Sequence, residues 1–213
     1  MLTHTRSGAI AVLACVLAFA APAAADSIDQ SFTNPSDVAQ VISCGSICGI
    51  GFGQSFTAGL TGTLSGININ LFNIFYGGPV VPIEIVMLDL SGGINSPVVL
   101  GSTTIVPQSG QIPIALLITF PQSIAILAGN VYGIGVVAGA DTSFDWSGDA
   151  DGGYAGGFGF FFEPGFPAGN FPLGNGGFDF NFQTHVNPVP EPGTLTLLAT
   201  GLAGLIGVRR KVL

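Results

Sequence analysis

Through most of the chain, apolar and polar residues alternate with a period of two. In Thr63-Leu64-Ser65-Gly66-Ile67-Asn68-Ile69-Asn70-Leu71, residues Ile67, Ile69 and Leu71 fall on one side and Asn68 and Asn70 on the other. That is the pattern of a strand with one buried and one wet face. Further strands are predicted over 51–57, 83–90, 98–106, 112–120, 123–127, 131–138 and 178–186. Turn signals separate them at Gly77-Gly78-Pro79, Ser91-Gly92-Gly93, Gln108-Ser109-Gly110 and Ala128-Gly129-Asn130. No stretch of this body carries a helical stripe. Repeated short strands with glycine-rich turns predict an all-β fold, a two-sheet sandwich of jelly-roll type over residues 26–186.

The two ends break the alternation. Near the N-terminus, Arg6 precedes an unbroken apolar run from Ala9 to Ala20, too short to span a bilayer comfortably, and Ala23-Ala24-Ala25 offers a small-residue cleavage site. Residues 1–25 therefore read as a signal peptide, removed by signal peptidase after Ala25 so that the mature chain begins at Asp26. Val12-Leu13-Ala14-Cys15 is a competing lipoprotein site, which the downstream peptidase site disfavours; Cys15 otherwise reads as an apolar residue of the run. Near the C-terminus, residues 194–208 are apolar, with Gly201, Gly204 and Gly207 at every third position, and Arg209, Arg210 and Lys211 follow at once. This is the pattern of a single transmembrane helix with a positive-inside stop. Its fifteen residues give about 22 Å of helix against a hydrocarbon core of about 30 Å, so it has to borrow flanking residues or thin the bilayer.

Charge sharpens the division. All four basic side chains, Arg6, Arg209, Arg210 and Lys211, lie in the terminal segments, and 26–190 holds eleven acids with no Lys or Arg. Such a polyanion lacks the cations that neutralise phosphates, which excludes nucleic acid as a partner and disfavours phosphate recognition. Salt bridges to Lys or Arg are also excluded, so clustered carboxylates must be solvated, repel one another or share a cation such as calcium.

Before the apolar tail stands Val189-Pro190-Glu191-Pro192-Gly193, whose two prolines hold the glutamate extended and open to a peptidase cleft. Pro190-Glu191-Pro192, a short apolar helix and the Arg209-Arg210-Lys211 cluster together resemble the PEP-CTERM sorting signal of Gram-negative bacteria. The resemblance covers about the last 25 residues, 187–213. It implies a precursor held in the inner membrane with its body exported, cleavage near the motif by exosortase, and a final place at the cell surface or outside the cell. The body in turn resembles sandwich domains found upstream of such tails, through Gln54-Ser55-Phe56-Thr57, Leu127-Ala128-Gly129-Asn130-Val131-Tyr132 and Phe182-Gln183-Thr184.

The richest polar stretch is 141–154, where Asp141, Asp145, Asp149 and Asp151 fall within eleven positions. Asp145, Asp149 and Asp151 are candidate calcium ligands, because hard cations gather carboxylate and carbonyl oxygens. Counted from Asp145, however, the sixth position is Ala150 and the twelfth Gly156, which departs from an EF-hand, and a solvated acidic loop is the simpler reading. Trp146 and Tyr154 beside these acids are candidate glycan-stacking rings, or rings that cap the sandwich core with their polar tips in water. Residues 152–177 form a Gly/Phe-rich segment that is either an adhesive loop or a flap folded back over the sandwich edge. Cys44 and Cys48 are the cysteines expected in the mature chain, and export would favour a disulfide between them. His185 stands without other soft ligands for zinc and reads as a solvent-facing residue of the last strand.

No Gly-x-Ser-x-Gly elbow frames a serine, and nothing singles out Glu84 and Glu163 as a glycosidase pair. The expected function is non-enzymatic and without a resident cofactor: an exported surface or matrix protein with a structural or adhesive role linked to exopolysaccharide. A carbohydrate- or calcium-binding module is the alternative.

Overall fold

The computed structural model describes residues 25–33, 38–43, 51–72, 82–106, 114–138, 143–162, 169–170, 177–189 and 201. Asp26–Pro188 makes one compact unit; residues 1–25 and 189–213 are grouped in a second, of which only Ala25, Val189 and Gly201 are described. Among the described residues fourteen strands are present: β1 (Ser27–Phe32), β2 (Val38–Ser43), β3 (Gly51–Thr57), β4 (Gly62–Phe72), β5 (Ile83–Asp89), β6 (Val98–Ile105), β7 (Ile114–Ile118), β8 (Ile124–Ile126), β9 (Val131–Ala138), β10 (Ser143–Asp149), β11 (Gly159–Phe162), β12 (Gly169–Asn170), β13 (Asp179–Phe180) and β14 (Phe182–Pro188).

They form two antiparallel sheets. One runs β1-β14-β4-β10-β13, with β2 on β10 and both β7 and β8 on β4; the other runs β12-β11-β3-β9-β5-β6. The alternation in β4 works as the sequence predicts. Ile67, Ile69 and Leu71 enter a core shared with Ile83, Ile85 and Met87 of β5 and with Ile134 and Val136 of β9. Both sheets thus bury one face against the other, the arrangement a sandwich requires.

The three quoted body motifs meet in this core. The Phe56 ring lies 5.9 Å from Tyr132 and 5.8 Å from Phe182, and the Tyr132 hydroxyl accepts a hydrogen bond from Leu127 N at 2.9 Å. Each motif therefore supplies one ring to a common contact between the sheets.

A second, smaller cluster holds Val86, Leu88, Leu90 and Phe160, with Phe158 packed against it. Val86 and Leu88 alternate with the core residues of β5 and so sit on the opposite face of their sheet. Part of the Gly/Phe-rich segment covers them. Gly159–Phe162 is a strand paired with β3, and the Phe160 ring lies so close over Gly53 that a Cβ there would stand 2.3 Å from Phe160 Cζ. Ring and glycine are matched in size across the strand pair. Of the two readings of this segment, the folded-back one describes Phe158 and Phe160; residues 163–168 and 171–176 lie outside the described set.

One expectation fails outright. Residues 143–149, read as part of a solvated acidic loop, form β10, which pairs with β2, β4 and β13. The reason lies in alternation too short to stand out: Phe144 and Trp146 point into the core while Asp145 and Ser147 take the other face, and both polar residues are buried as well. β1 and β2 were also unmarked in the sequence. The predicted 178–186 strand is broken at Asn181 into β13 and β14.

Candidate functional site

β10 fixes the positions of the residues that the sequence singled out for chemistry. Trp146 is 0 % exposed; its ring stacks on Phe180 at 4.4 Å, and its Nε1 donates to Asn181 O at 2.9 Å. A ring enclosed on both sides has no face for a sugar, which corrects the glycan-stacking expectation for Trp146; its polar tip is satisfied by backbone rather than by water. Tyr154 is half-buried, edge-on to Phe182 at 5.2 Å, and its hydroxyl donates to Gln30 Oε1 at 2.9 Å. Burial, followed by the charges of Asp29 and Asp179, pushes the Tyr154 phenol up to about 12. Tyr154 thus closes the core beside β1.

The calcium expectation also changes. Residues four apart on a strand are about 13 Å apart, so Asp145 in the middle of β10 and Asp149 at its end do not converge. Among the described residues no group of three or more His, Cys, Asp or Glu side chains is placed to hold a metal. Asp149 instead shapes the following turn, its Oδ1 accepting from Asp151 N at 3.0 Å. Asp145 is 2 % exposed and its Oδ1 has no hydrogen-bond partner; burial raises its pKa above the ordinary carboxylate value.

The polar centre of this end of the molecule is Asp179, which no sequence signal marked. It sits between Phe178 and Phe180 in a run of alternating rings, a position that reads as solvent-facing. The structure buries it to 2 % exposure and surrounds it with donors: Gln54 Nε2 at 3.0 Å, Gly153 N at 2.9 Å and Tyr154 N at 2.9 Å. Gln54 completes the link by accepting from Phe180 N at 2.7 Å. β13 is held from both sheets, since Gly159 N donates to Phe178 O and Asn181 N to Ser147 O. The approach requires glycine on either side: a Cβ at Gly148 would stand 2.1 Å from Asp179 O, and one at Gly159 2.0 Å from Phe178 O. This network secures the fold, and it brings no nucleophile and base together.

Asp29 does a similar service for β1. Its Oδ1 accepts from Gly59 N at 2.9 Å and Leu60 N at 2.6 Å; burial nevertheless raises its pKa, with those backbone bonds opposing the rise. His185 departs from the solvent-facing expectation. It is half-buried on β14, with Nε2 2.9 Å from Asn68 Nδ2 and Nδ1 3.4 Å from Asp26 Oδ2. The ring thus bridges the Asn68 amide and the Asp26 carboxylate. Glu84 is exposed on β5. Glu163, Cys44 and Cys48 lie outside the described residues.

The C-terminal signals remain. β14 ends at Pro188, and Val189 directly after it is exposed. Residues 188–211 match the family model of the PEP-CTERM protein-sorting motif. The chain carries a PEP-CTERM sorting motif. The matched range takes in Pro190, Glu191, Pro192 and Gly193 together with Arg209, Arg210 and Lys211, and it bears out the resemblance to the PEP-CTERM signal. A PEP-CTERM motif implies an exported protein whose membrane-anchored precursor is sorted to the cell surface and processed by exosortase. Curated proteins gave no match to the chain. Among the described residues no helix is long and apolar enough to cross a membrane; of the expected 194–208 helix, only Gly201 is described. The signal peptide lies outside the described residues apart from Ala25, which is exposed beside the proposed cleavage point.

Proposed function

We propose that this is a non-enzymatic surface or extracellular-matrix protein with a structural or adhesive role alongside exopolysaccharide. The observation that carries the reading is the sorting motif beginning at Pro188, the last residue of β14. Body and sorting signal adjoin directly along the chain. In this reading residues 1–25 direct export, residues 194–208 anchor the precursor in the inner membrane, and cleavage near Pro190-Glu191-Pro192 releases the body for attachment or secretion.

The strand order supports a jelly-roll body. Along the chain, β1, β3, β4, β5, β6, β8, β9 and β14 lie in the orders β1-β14-β4-β8 and β3-β9-β5-β6 on the two sheets. That is the weave of two Greek keys, with β10 to β13 inserted before the last strand. The absence of Lys and Arg from 26–190 supports a role outside the cell that needs no anionic ligand.

Intact-mass measurement on protein recovered from cells and from medium tests the reading. The expected species begins at Asp26 and lacks the residues after the Pro190-Glu191-Pro192 region. Recovery of a full-length chain in the cytosol would overturn it.

A further inference from the structure

We infer that the outer face of the eight-stranded sheet carries a binding site for a neutral saccharide, built around the amide of Asn70. Strand register assembles it. Gln183 of β14 stands opposite Asn68 of β4 and Ser31 of β1, while Leu117 of β7 stands opposite Asn68 from the other side. One rung thus reads Ser31, Gln183, Asn68, Leu117. The next has Asn70 opposite Ala115, with Asn181 beyond the end of β14 and Thr33 beyond the end of β1. Long side chains on the first rung and the short Ala115 on the second leave a cavity of about 190 Å³ lined by Thr33, Asn68, Asn70, Ala115, Asn181, Phe182 and Gln183.

The chemistry of this lining selects the ligand. None of these residues is charged, and four are Asn or Gln, each able to donate through its NH2 and accept through its carbonyl. A sugar hydroxyl likewise donates and accepts, so amides match it where a lone cation or carboxylate matches only one role. Three of the amides are held in place, Asn181 among them through its Nδ2 bond to Ser147 Oγ at 3.1 Å. Asn68 Nδ2 contacts His185 Nε2 at 2.9 Å and Gln183 Oε1 at 3.4 Å, and Gln183 Nε2 donates to Ser31 Oγ at 3.2 Å. Asn70 is different: its amide makes no hydrogen bond among the described residues. The site therefore has a fixed frame and an amide left for a ligand, a preorganised arrangement that spares ordering entropy on binding.

Leu117, 64 % exposed and opposite Asn68, leans toward Gly66 and leaves an apolar patch beside the cavity rather than in its lining. The volume is below the roughly 300–1,000 Å³ of pockets that enclose drug-sized molecules, so one ring fits and the remainder of a chain lies outside. A body with eleven acids and no Lys or Arg disfavours uronates and sulfated sugars. The site adjoins the Trp146 and Tyr154 rings, which contact two of its lining residues, Asn181 and Phe182, from the core. It deepens the surface-protein reading and rests on it only for the presence of polysaccharide around the molecule.

Saturation-transfer NMR and calorimetry on the protein as recovered from its producing cells provide the test, with glucose, galactose, N-acetylglucosamine and dextran as neutral probes and alginate as the anionic one. At least one neutral probe is expected to bind with a dissociation constant of order 1 mM, and alginate is not. N70A is expected to weaken that binding at least about tenfold, and A115W, which fills the cavity, to abolish it. E84Q, on the exposed part of the other sheet, should bind as the unaltered protein does. Thermal midpoints of N70A and a milder variant, A115L, separate lost binding from lost folding. Silence from all neutral probes at about 10 mM, equal binding of alginate, or unchanged binding in both N70A and A115L would overturn the site. None of these outcomes bears on export and tail cleavage, which the mass measurement decides separately.

Discussion

Asp145 and Asp179 are each 2 % exposed in a body without Lys or Arg, yet their surroundings are opposite. Asp179 is ringed by an amide and two backbone N–H donors, whereas one oxygen of Asp145 has no partner and burial raises its pKa. Folding without cations therefore has a workable solution and an unfavourable one. Backbone N–H groups, gathered at the 153–154 turn and joined by Gln54, stand in for the missing guanidinium and ammonium groups. Where no such turn is available, as in the middle of β10, the carboxylate is left against its own desolvation cost.

The largest test of this contrast is D179A. It takes the acceptor from Gly153 N and Tyr154 N and one of two from Gln54 Nε2, which keeps Ser55 O at 3.1 Å, and a donor left unsatisfied in a buried site costs about 1–3 kcal/mol. A net loss of about 3 kcal/mol in urea unfolding is expected. A loss below about 0.5 kcal/mol would mean that water replaces the carboxylate and that the network does not organise this end of the fold.

D145N should act in the other direction. The folded-state pKa of Asp145 is raised, so the folded chain holds its proton more tightly than the unfolded chain does. Stability from this group is thus greatest at acid pH, falls as pH rises from the unfolded value through the folded one, and stays low above it. Removing the charge should stabilise the protein at pH 7 by about 1 kcal/mol, or about 2–4 °C in thermal midpoint, with the advantage shrinking toward pH 4. A stability curve parallel to that of the unaltered protein across this range would show that Asp145 is compensated by a partner.

The smallest effect belongs to D26N. Asp26 is half-exposed and contacts both His185 and Ser65. Surface pairs of this kind contribute about 0–1 kcal/mol, and a thermal shift of no more than about 2 °C is expected. A larger shift would place the start of β1 among the structural supports alongside Asp179.

How much could be read in advance differs from strand to strand. β3 and β9 are found at the predicted bounds and β4 within one residue of them, because their alternation runs long enough to set a face and clear turns bound them. β10 and β11 were hidden by their composition: aspartate and glycine are poor strand formers, and only pairing with β2, β4 and β3 overrides that preference. The saccharide site was half visible, since Asn68 and Asn70 were marked as the wet face. Their union with Gln183 and Ala115 depends on register across sequence separations of more than forty residues.

The sequence alone determined the chain's address and the sign of its surface. A sorting signal is read as a linear segment by the membrane and a processing enzyme, so motif, apolar stretch and basic cluster carry their meaning in order and spacing. Likewise, no folding pattern can give the body a cation beyond its histidine. Only the tertiary structure decided that Trp146 is a core residue, that Asp179 is surrounded by donors while Asp145 is not, and that an amide-lined cavity opens on one sheet. Burial and hydrogen bonding depend on which distant strands become neighbours, and in an antiparallel sandwich that is settled by the packing of whole faces.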